Sequence, residues 1–279
     1  NMYFYIYTNV NNINSNCYTK INTKMILKIK HFVIFITLTF LVACKQDKPS
    51  LVKIIGKQIP LTDSITENET IKNFITPYRK RIDEVLDSTL AYATAPITKT
   101  DGEFNTTAGN LMADAVLELA GPIFKSRTKN NLDFVLLNHG GIRSIISKGN
   151  VSARTAYEVM PFENSVVVVG LKGKTIREMV TYLINSKKPH PIAGIQIIID
   201  KNDSLKAVNI QGKPFDENKI YYVATSNYLV NGGDNMIFFK EKLSFTETDY
   251  LIRNIMIDYF TKKDTLAPLI DDRFIKLDY

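Results

Sequence analysis

Apolar residues return every three or four positions through Ile71, Phe74, Ile75, Tyr78, Ile82, Val85, Leu86 and Leu90, a period that predicts an amphipathic helix. Pro77 lies inside that pattern, so the helix is expected to kink or to start there. A second helix is predicted from Ala108 to Leu119, with Thr106 or Thr107 as its cap and Gly121-Pro122 as its stop. Phe134–Leu137 and Val166–Leu171 are short continuous apolar runs, which predict buried strands. Gly173 interrupts the second run, and Thr175–Asn185 has helical spacing. Strands are expected at Ile195–Ile199, Leu205–Ile210 and Ile220–Thr225, with turns at Asp203 and Gly212. A last helix over Thr248–Thr261 and a closing strand near Arg273–Leu277 complete the series. Helices and strands alternate without an internal repeat. The pattern predicts an α+β fold, a mixed β-sheet packed with helices, as a single domain.

Polarity changes abruptly towards the N-terminus. Residues 1–24 hold seven Asn and no acid. They carry no period able to bury a core, so they read as an over-extended start or a disordered extension. From Met25 the chain is patterned: Lys28 and Lys30, then the apolar run Phe32–Phe40 broken only by Thr37 and Thr39, then Leu41-Val42-Ala43-Cys44. The series predicts a lipoprotein signal peptide over residues 25–43, with Cys44 as the lipidated residue. The rival reading is a spanning anchor, which would need about 20 apolar residues. Residues 44–63 then form a polar tether with a first strand near Leu51–Ile55, and residues 64–279 form the folded domain. The expected location is outside the cytoplasm, held by lipid on a bacterial membrane at the periplasmic face or the cell surface.

Charge adds little once this segment is set aside. The formal charge of +7 falls to +3 without the four lysines that precede Cys44. A nucleic-acid partner is therefore not expected. Cys17 and Cys44 are the only cysteines. Processing would remove the first and acylate the second, leaving no thiol for a disulfide, a metal or nucleophilic catalysis.

The densest chemistry lies in Asn138-His139-Gly140-Gly141-Ile142-Arg143, followed by Pro161-Phe162-Glu163-Asn164. Paired glycines allow a sharp turn and close approach of a ligand to the backbone. Arg143 supplies a planar, permanently charged fork suited to phosphate, and Phe162 supplies a flat face. Two further segments are Gly109-Asn110-Leu111-Met112-Ala113-Asp114-Ala115 and the run from Tyr222 to Asp234, which contains Tyr228 and the Gly232-Gly233-Asp234 turn. Blander roles stay open for each residue: an arginine paired with a surface acid, a phenylalanine in the core, or Asn138 and Asp234 stabilising their own turns. Asn110 and Asn164 are expected to brace loops, and His139 is assigned no chemistry.

In order and spacing these four blocks resemble the C-terminal, substrate-binding domain of the 5'-nucleotidase family, over roughly Ile71 to Tyr279. The resemblance implies that Arg143 serves phosphate and that Phe162 and Tyr228 stack on the two faces of a base. It gives Asn138 the base edge and Asp234 the ribose hydroxyls, on turns shaped by Gly140, Gly141, Gly232 and Gly233. Two departures stand out. Tyr228 replaces the Phe common in relatives, and its hydroxyl needs a partner or water. Gly102–Thr107 lacks an arginine that relatives often carry before the Gly-Asn of the first block. The phosphate task would then weaken or pass to Lys99, Arg154 or a partner.

In that family hydrolysis belongs to a separate metallophosphoesterase domain with two metals. This chain has three His, one of them His31 in the signal segment. His139 and His190 cannot build such a centre. No cofactor is expected in this chain, and divalent metals are expected only in a partner. The expected function is therefore a nucleotide- or nucleoside-binding domain of a phosphoesterase, inactive alone and working with a separate metallophosphoesterase chain. The alternatives are a stand-alone nucleoside-binding lipoprotein serving uptake, or a non-catalytic structural remnant. Cys44→Ala is expected to leave an unprocessed, unlipidated precursor. Intact-mass measurement of the membrane fraction would contradict the signal reading if that variant matured normally.

Overall fold

The computed structural model describes residues 15–42, 51, 53–62 and 64–278. Contacts divide the chain into two units, Asn1–Thr66 and Glu67–Tyr279. In the first unit, α1 runs from Ser15 to Val42, and its side chains from Met25 to Leu38 are exposed. Among the described residues no helix is long and apolar enough to cross a membrane. Cys44 lies outside the described residues. The expected strand near Leu51–Ile55 is not formed: Leu51 and Lys53–Leu61 have no regular structure. Leu51, Ile54 and Ile55 are exposed, and among the described residues no strand pairs with them.

The second unit opens with α2, Glu69–Leu86. Asn68 caps it by accepting hydrogen bonds from the Thr70 and Ile71 amides at 3.0 and 3.2 Å. The helix runs through Pro77 rather than starting there, because the carbonyl deprived of its donor belongs to exposed Asn73 and meets water. Leu90 is not part of this helix but of strand β1, Thr89–Ala93. Helix α3, Thr107–Thr128, starts where predicted, with Thr106 accepting from the Gly109 amide at 3.1 Å. It continues past Gly121-Pro122. The apolar face persists through Ala120 and Phe124, whose ring meets Tyr222 at 5.2 Å, and this packing outweighs the lost donor of an exposed proline. Lys129 ends the helix in the left-handed region.

Next come β2 (Phe134–Leu136), β3 (Gly149–Ser152), α4 (Ala153–Val159), β4 (Ser165–Lys172), α5 (Gly173–Ser186) and β5 (Ile192–Ala193). After these follow β6 (Ile195–Ile199), β7 (Leu205–Ile210), β8 (Lys213–Pro214), β9 (Ile220–Ser226) and α6 (Asn227–Val230). The chain closes with β10 (Ser244–Leu251), α7 (Ile252–Lys263), β11 (Thr265–Leu266) and β12 (Phe274–Lys276). The predicted helix over Thr248–Thr261 is thus part strand. Tyr250 and Leu251 pair with β4 beyond a bulge at Thr248 and Asp249, and the Thr248 hydroxyl donates to the Val166 carbonyl at 2.6 Å.

The central sheet has the order β10-β4-β9-β2-β5. Successive side chains of a strand point to opposite faces, and here both faces are covered. Val166 and Val168 join one core with α3 and α7, while Val167, Val169 and Leu171 join another with α5. A sheet buried on both sides explains the unbroken apolar runs read from the sequence. Smaller sheets, β11-β1-β3 and β12-β6-β7-β8, flank it. The architecture is α+β, mixed sheets packed with helices.

Strand direction places the loops. β2 and β9 are parallel, with Phe134 opposite Val223, and β4 is antiparallel to β9, with Val166 opposite Ser226. The segments after β2, before β4 and after β9 therefore leave the sheet along one edge.

Candidate functional site

The segment after β2 begins with Asn138, which is largely buried and precedes a short 3₁₀ turn, His139–Gly141. The Gly141 amide donates to the Asn138 carbonyl at 3.0 Å, and the Arg143 amide donates to the Val159 carbonyl at 2.8 Å. A Cβ on Gly141 would lie 3.0 Å from Asn138 Oδ1, so the second glycine leaves room for the asparagine amide over the turn. The Lys99 ammonium donates to the Ile142 carbonyl at 2.7 Å and stiffens the turn from behind. Arg143 is exposed. Its guanidinium reaches the Gly140 carbonyl at 3.4 Å and lies 5.9 Å from the centre of the Phe162 ring.

The loop before β4 presents Phe162, with 40% of its surface exposed. It is held by Arg253 of α7, a residue that no sequence pattern singled out. The Arg253 guanidinium is buried, lies 4.1 Å from the centre of the Tyr157 ring, and pairs with Glu163 at 2.5 Å. It also approaches the Pro161 and Phe162 carbonyls at 3.5 Å. One buried cation thus gathers the acceptors of the loop and keeps the phenylalanine turned outward.

The segment after β9 supplies Tyr228, which is 45% exposed. Asn227 Oδ1 accepts from the Tyr228 amide at 2.9 Å and from the Ser165 amide at 3.3 Å, tying this loop to the start of β4. Gly232 takes a left-handed φ of +96°, and a Cβ on Gly233 would sit 2.4 Å from the Tyr228 ring. The aromatic ring therefore lies directly over bare backbone. Asp234 follows with φ +51°, a conformation Asp tolerates better than most residues. The Tyr228 hydroxyl donates to Asp234 Oδ1 at 3.1 Å, which supplies the partner this tyrosine was expected to need.

Asn138, Gly140, Gly141, Arg143, Phe162, Tyr228 and Asp234 line one cavity of about 290 Å³. Asn164 lines it too, beyond its expected bracing role, while its carbonyl accepts from the Ile252 amide at 2.9 Å. Gly232 and Gly233 shape the turn from outside the lining. Asn110 braces, donating to Asn105 Oδ1 at 2.7 Å and to the Leu269 carbonyl at 2.9 Å. Arg154 is not a phosphate ligand in waiting, because it is bound to Asp83 at 2.6 Å and Asp87 at 2.5 Å. A larger cleft of about 440 Å³ lies beside Asp114, Gln196, Asp271 and Arg273. There Arg273 is already bound to Asp114 and Asp271, and no predicted site residue contributes. Among the described residues no group of three or more His, Cys, Asp and Glu could hold a metal ion.

Two histidines, His139 of the turn and His190, lie outside the cavity lining. The His139 amide donates to His190 Nδ1 at 3.3 Å. Burial pushes the His190 imidazole down to about 4, against the opposing pull of Asp234. Burial also lowers His139, helped by nearby Lys99.

Comparisons with known proteins identify the family and the fold of the chain. The family model described as 5'-nucleotidase, C-terminal domain matches residues 89–241. The protein UshA of Yersinia enterocolitica is 24% identical over 221 residues, covering 76% of this chain and 38% of that protein. The 5'-nucleotidase of Mus musculus is 25% identical, covering 82% of this chain and 44% of that one. The crystal structure of a 5'-nucleotidase precursor from Thermus thermophilus superposes with a TM-score of 0.62 at 23% identity, over 76% of this chain and 44% of that one, and so shares the fold. The chain spans about four tenths of the length of these relatives.

Two outcomes follow from the supports of the cavity. Arg253→Met should lower the unfolding free energy by about 1–3 kcal/mol, since it removes the charged hydrogen bonds that hold the Phe162 loop. A denaturant titration matching the wild type would contradict that support. His190 is held neutral in the folded chain, whereas the unfolded chain takes up the proton near 6.5. Its contribution is therefore complete above about 6.5 and is lost as pH falls through 4, by about 3 kcal/mol in all. Denaturant titrations from pH 7 to 4 should show a smaller loss in His190→Asn than in the wild type.

Proposed function

The chain belongs to the 5'-nucleotidase C-terminal domain family, and on that premise we propose that it binds a nucleotide or nucleoside for a phosphoesterase whose metal centre lies in a separate metallophosphoesterase chain. The observation that carries the reading is the meeting of two exposed aromatic rings, an exposed arginine and a carboxylate from three loops around one cavity. Phe162 and Tyr228 take the faces of the base. Stacking of this kind contributes roughly 1–3 kcal/mol per ring and is tolerant of base identity. Asn138 meets the base edge, Asp234 accepts from ribose, and Arg143 holds phosphate with a fork that matches its oxygens. Gly140 and Gly141 let the ligand approach the backbone.

Hydrolysis needs a water activated by metal and aligned with phosphorus, and the partner supplies that chemistry. This chain supplies grip and orientation, which lower the barrier by holding the phosphoryl group in place. The series from Met25 to Cys44 supports export and a lipid anchor, which would hold the domain on a membrane. No observation favours the uptake-protein or remnant readings over this one.

Calorimetry on the protein from Cys44 onward should give dissociation constants of about 10 μM to 1 mM for adenosine and AMP. Phe162→Ala should weaken both ligands by about ten-fold or more, and Arg143→Ala should weaken only AMP. The chain alone should release no phosphate from AMP with or without divalent metal. Turnover by the homogeneous chain that tracks Arg143 would overturn the division of labour, and absence of binding by a folded sample would overturn the ligand.

A further inference from the structure

Asp234 is gripped by two tyrosine hydroxyls from different elements. Tyr228 donates to its Oδ1 at 3.1 Å, and Tyr182 of α5 donates to its backbone carbonyl at 2.8 Å. Neither ring is free to drift. Tyr228 lies against Gly233, where a Cβ would come within 2.4 Å of the ring. Tyr182 meets Phe238 edge-on at 5.6 Å and packs 5.7 Å from His190. His190 in turn accepts from the His139 amide. One continuous set of contacts therefore runs from the Asn138 turn through His190 and Tyr182 to Asp234. It links the Asn138 turn to the Asp234 turn, both of which line the cavity. Asp234 Oδ2 lies on the Gly140 side, 3.8 Å from where a Cβ on that glycine would be. With Oδ1 engaged by Tyr228, this oxygen remains as an acceptor beside the lining glycine.

We propose that the Tyr182 and Tyr228 hydroxyls are positioning groups that hold the Asp234 carboxylate towards the cavity, so that the site selects ligands presenting sugar hydroxyls over those that lack them. The inference rests on the nucleoside reading above and adds the origin of its sugar selectivity. A carboxylate can only accept hydrogen bonds, so it rewards hydroxyl donors and repels a phosphate placed there. A carboxylate already held in one orientation gives up less freedom on binding than one that must be ordered by the ligand. Replacement of Tyr228 by Phe would keep the ring for stacking and remove only the hydroxyl, so the two roles separate experimentally.

The test is calorimetry of the protein from Cys44 onward with adenosine and with 2',3'-dideoxyadenosine. The wild type should prefer adenosine by about five-fold or more, the effect of one well-formed hydrogen bond to a charged acceptor. Y228F should lose most of that preference through weaker adenosine binding, while dideoxyadenosine stays within about two-fold of its wild-type affinity. Y182F should move the ratio the same way by a smaller factor, and D234N should abolish it. A structural role alone would weaken both ligands together and leave the ratio unchanged, which would overturn the proposal. An unchanged ratio in Y228F, or a wild type that binds both ligands equally, would also overturn it with the nucleoside reading intact. A folded wild type that binds neither ligand would remove the nucleoside reading, and this inference with it.

Discussion

The candidate site depends on the directions of three strands. β2 runs parallel to β9, and β4 runs antiparallel to it. With that arrangement the end of β2, the beginning of β4 and the end of β9 share one edge of the sheet, though they lie far apart in sequence. The turn with Arg143, the loop with Phe162 and the turn with Tyr228 and Asp234 need no further device to become neighbours. The pairing of Val166 with Ser226 sets where the loop before β4 meets the turn after β9, and that of Phe134 with Val223 sets where β2 ends beside it, so the register places the site.

Side chains from elsewhere then set the fine geometry. Arg253 reaches from α7 to the Phe162 loop, Asn227 joins the Tyr228 loop to the start of β4, and Tyr182 reaches from α5 to Asp234. The Phe162 loop and the Tyr228–Asp234 turn are thus each held by a polar group on an element of regular structure, while Lys99 holds the Arg143 turn from an irregular segment. Ligand groups carried on loops commonly owe their precision to such a scaffold.

Much of this was legible in the sequence because the signals were local. Four motifs and two continuous valine- or leucine-rich runs were enough to name the sheet and most of the cavity lining. What the sequence hid was decided by partners far along the chain. Pro122 signalled a helix end, yet burial of Phe124 carried α3 onward. Thr248–Leu251 looked helical because the apolar period of α7 extends backwards, but β4 offered an open edge and the segment became strand. Arg154 was a reasonable phosphate ligand until the structure brought Asp83 and Asp87 to it. Arg253 and Tyr182 had no pattern at all, since a buried arginine and a packed tyrosine are identified by what surrounds them. Asn227 was within reach, because it sits inside the Tyr222–Asp234 block that carried the resemblance.

The four consecutive valines of β4 have one more consequence. Val166 and Val168 belong to the core beneath α3 and α7, and Val167 and Val169 belong to the core beneath α5. No layer separates the two cores except the sheet itself, so neither can be opened without stripping the same strand. The amides of β4 should therefore exchange with solvent only when the whole unit unfolds, as one cooperative block. Helix α2 is the opposite case: it buries none of its own residues and can come away while that block stays closed.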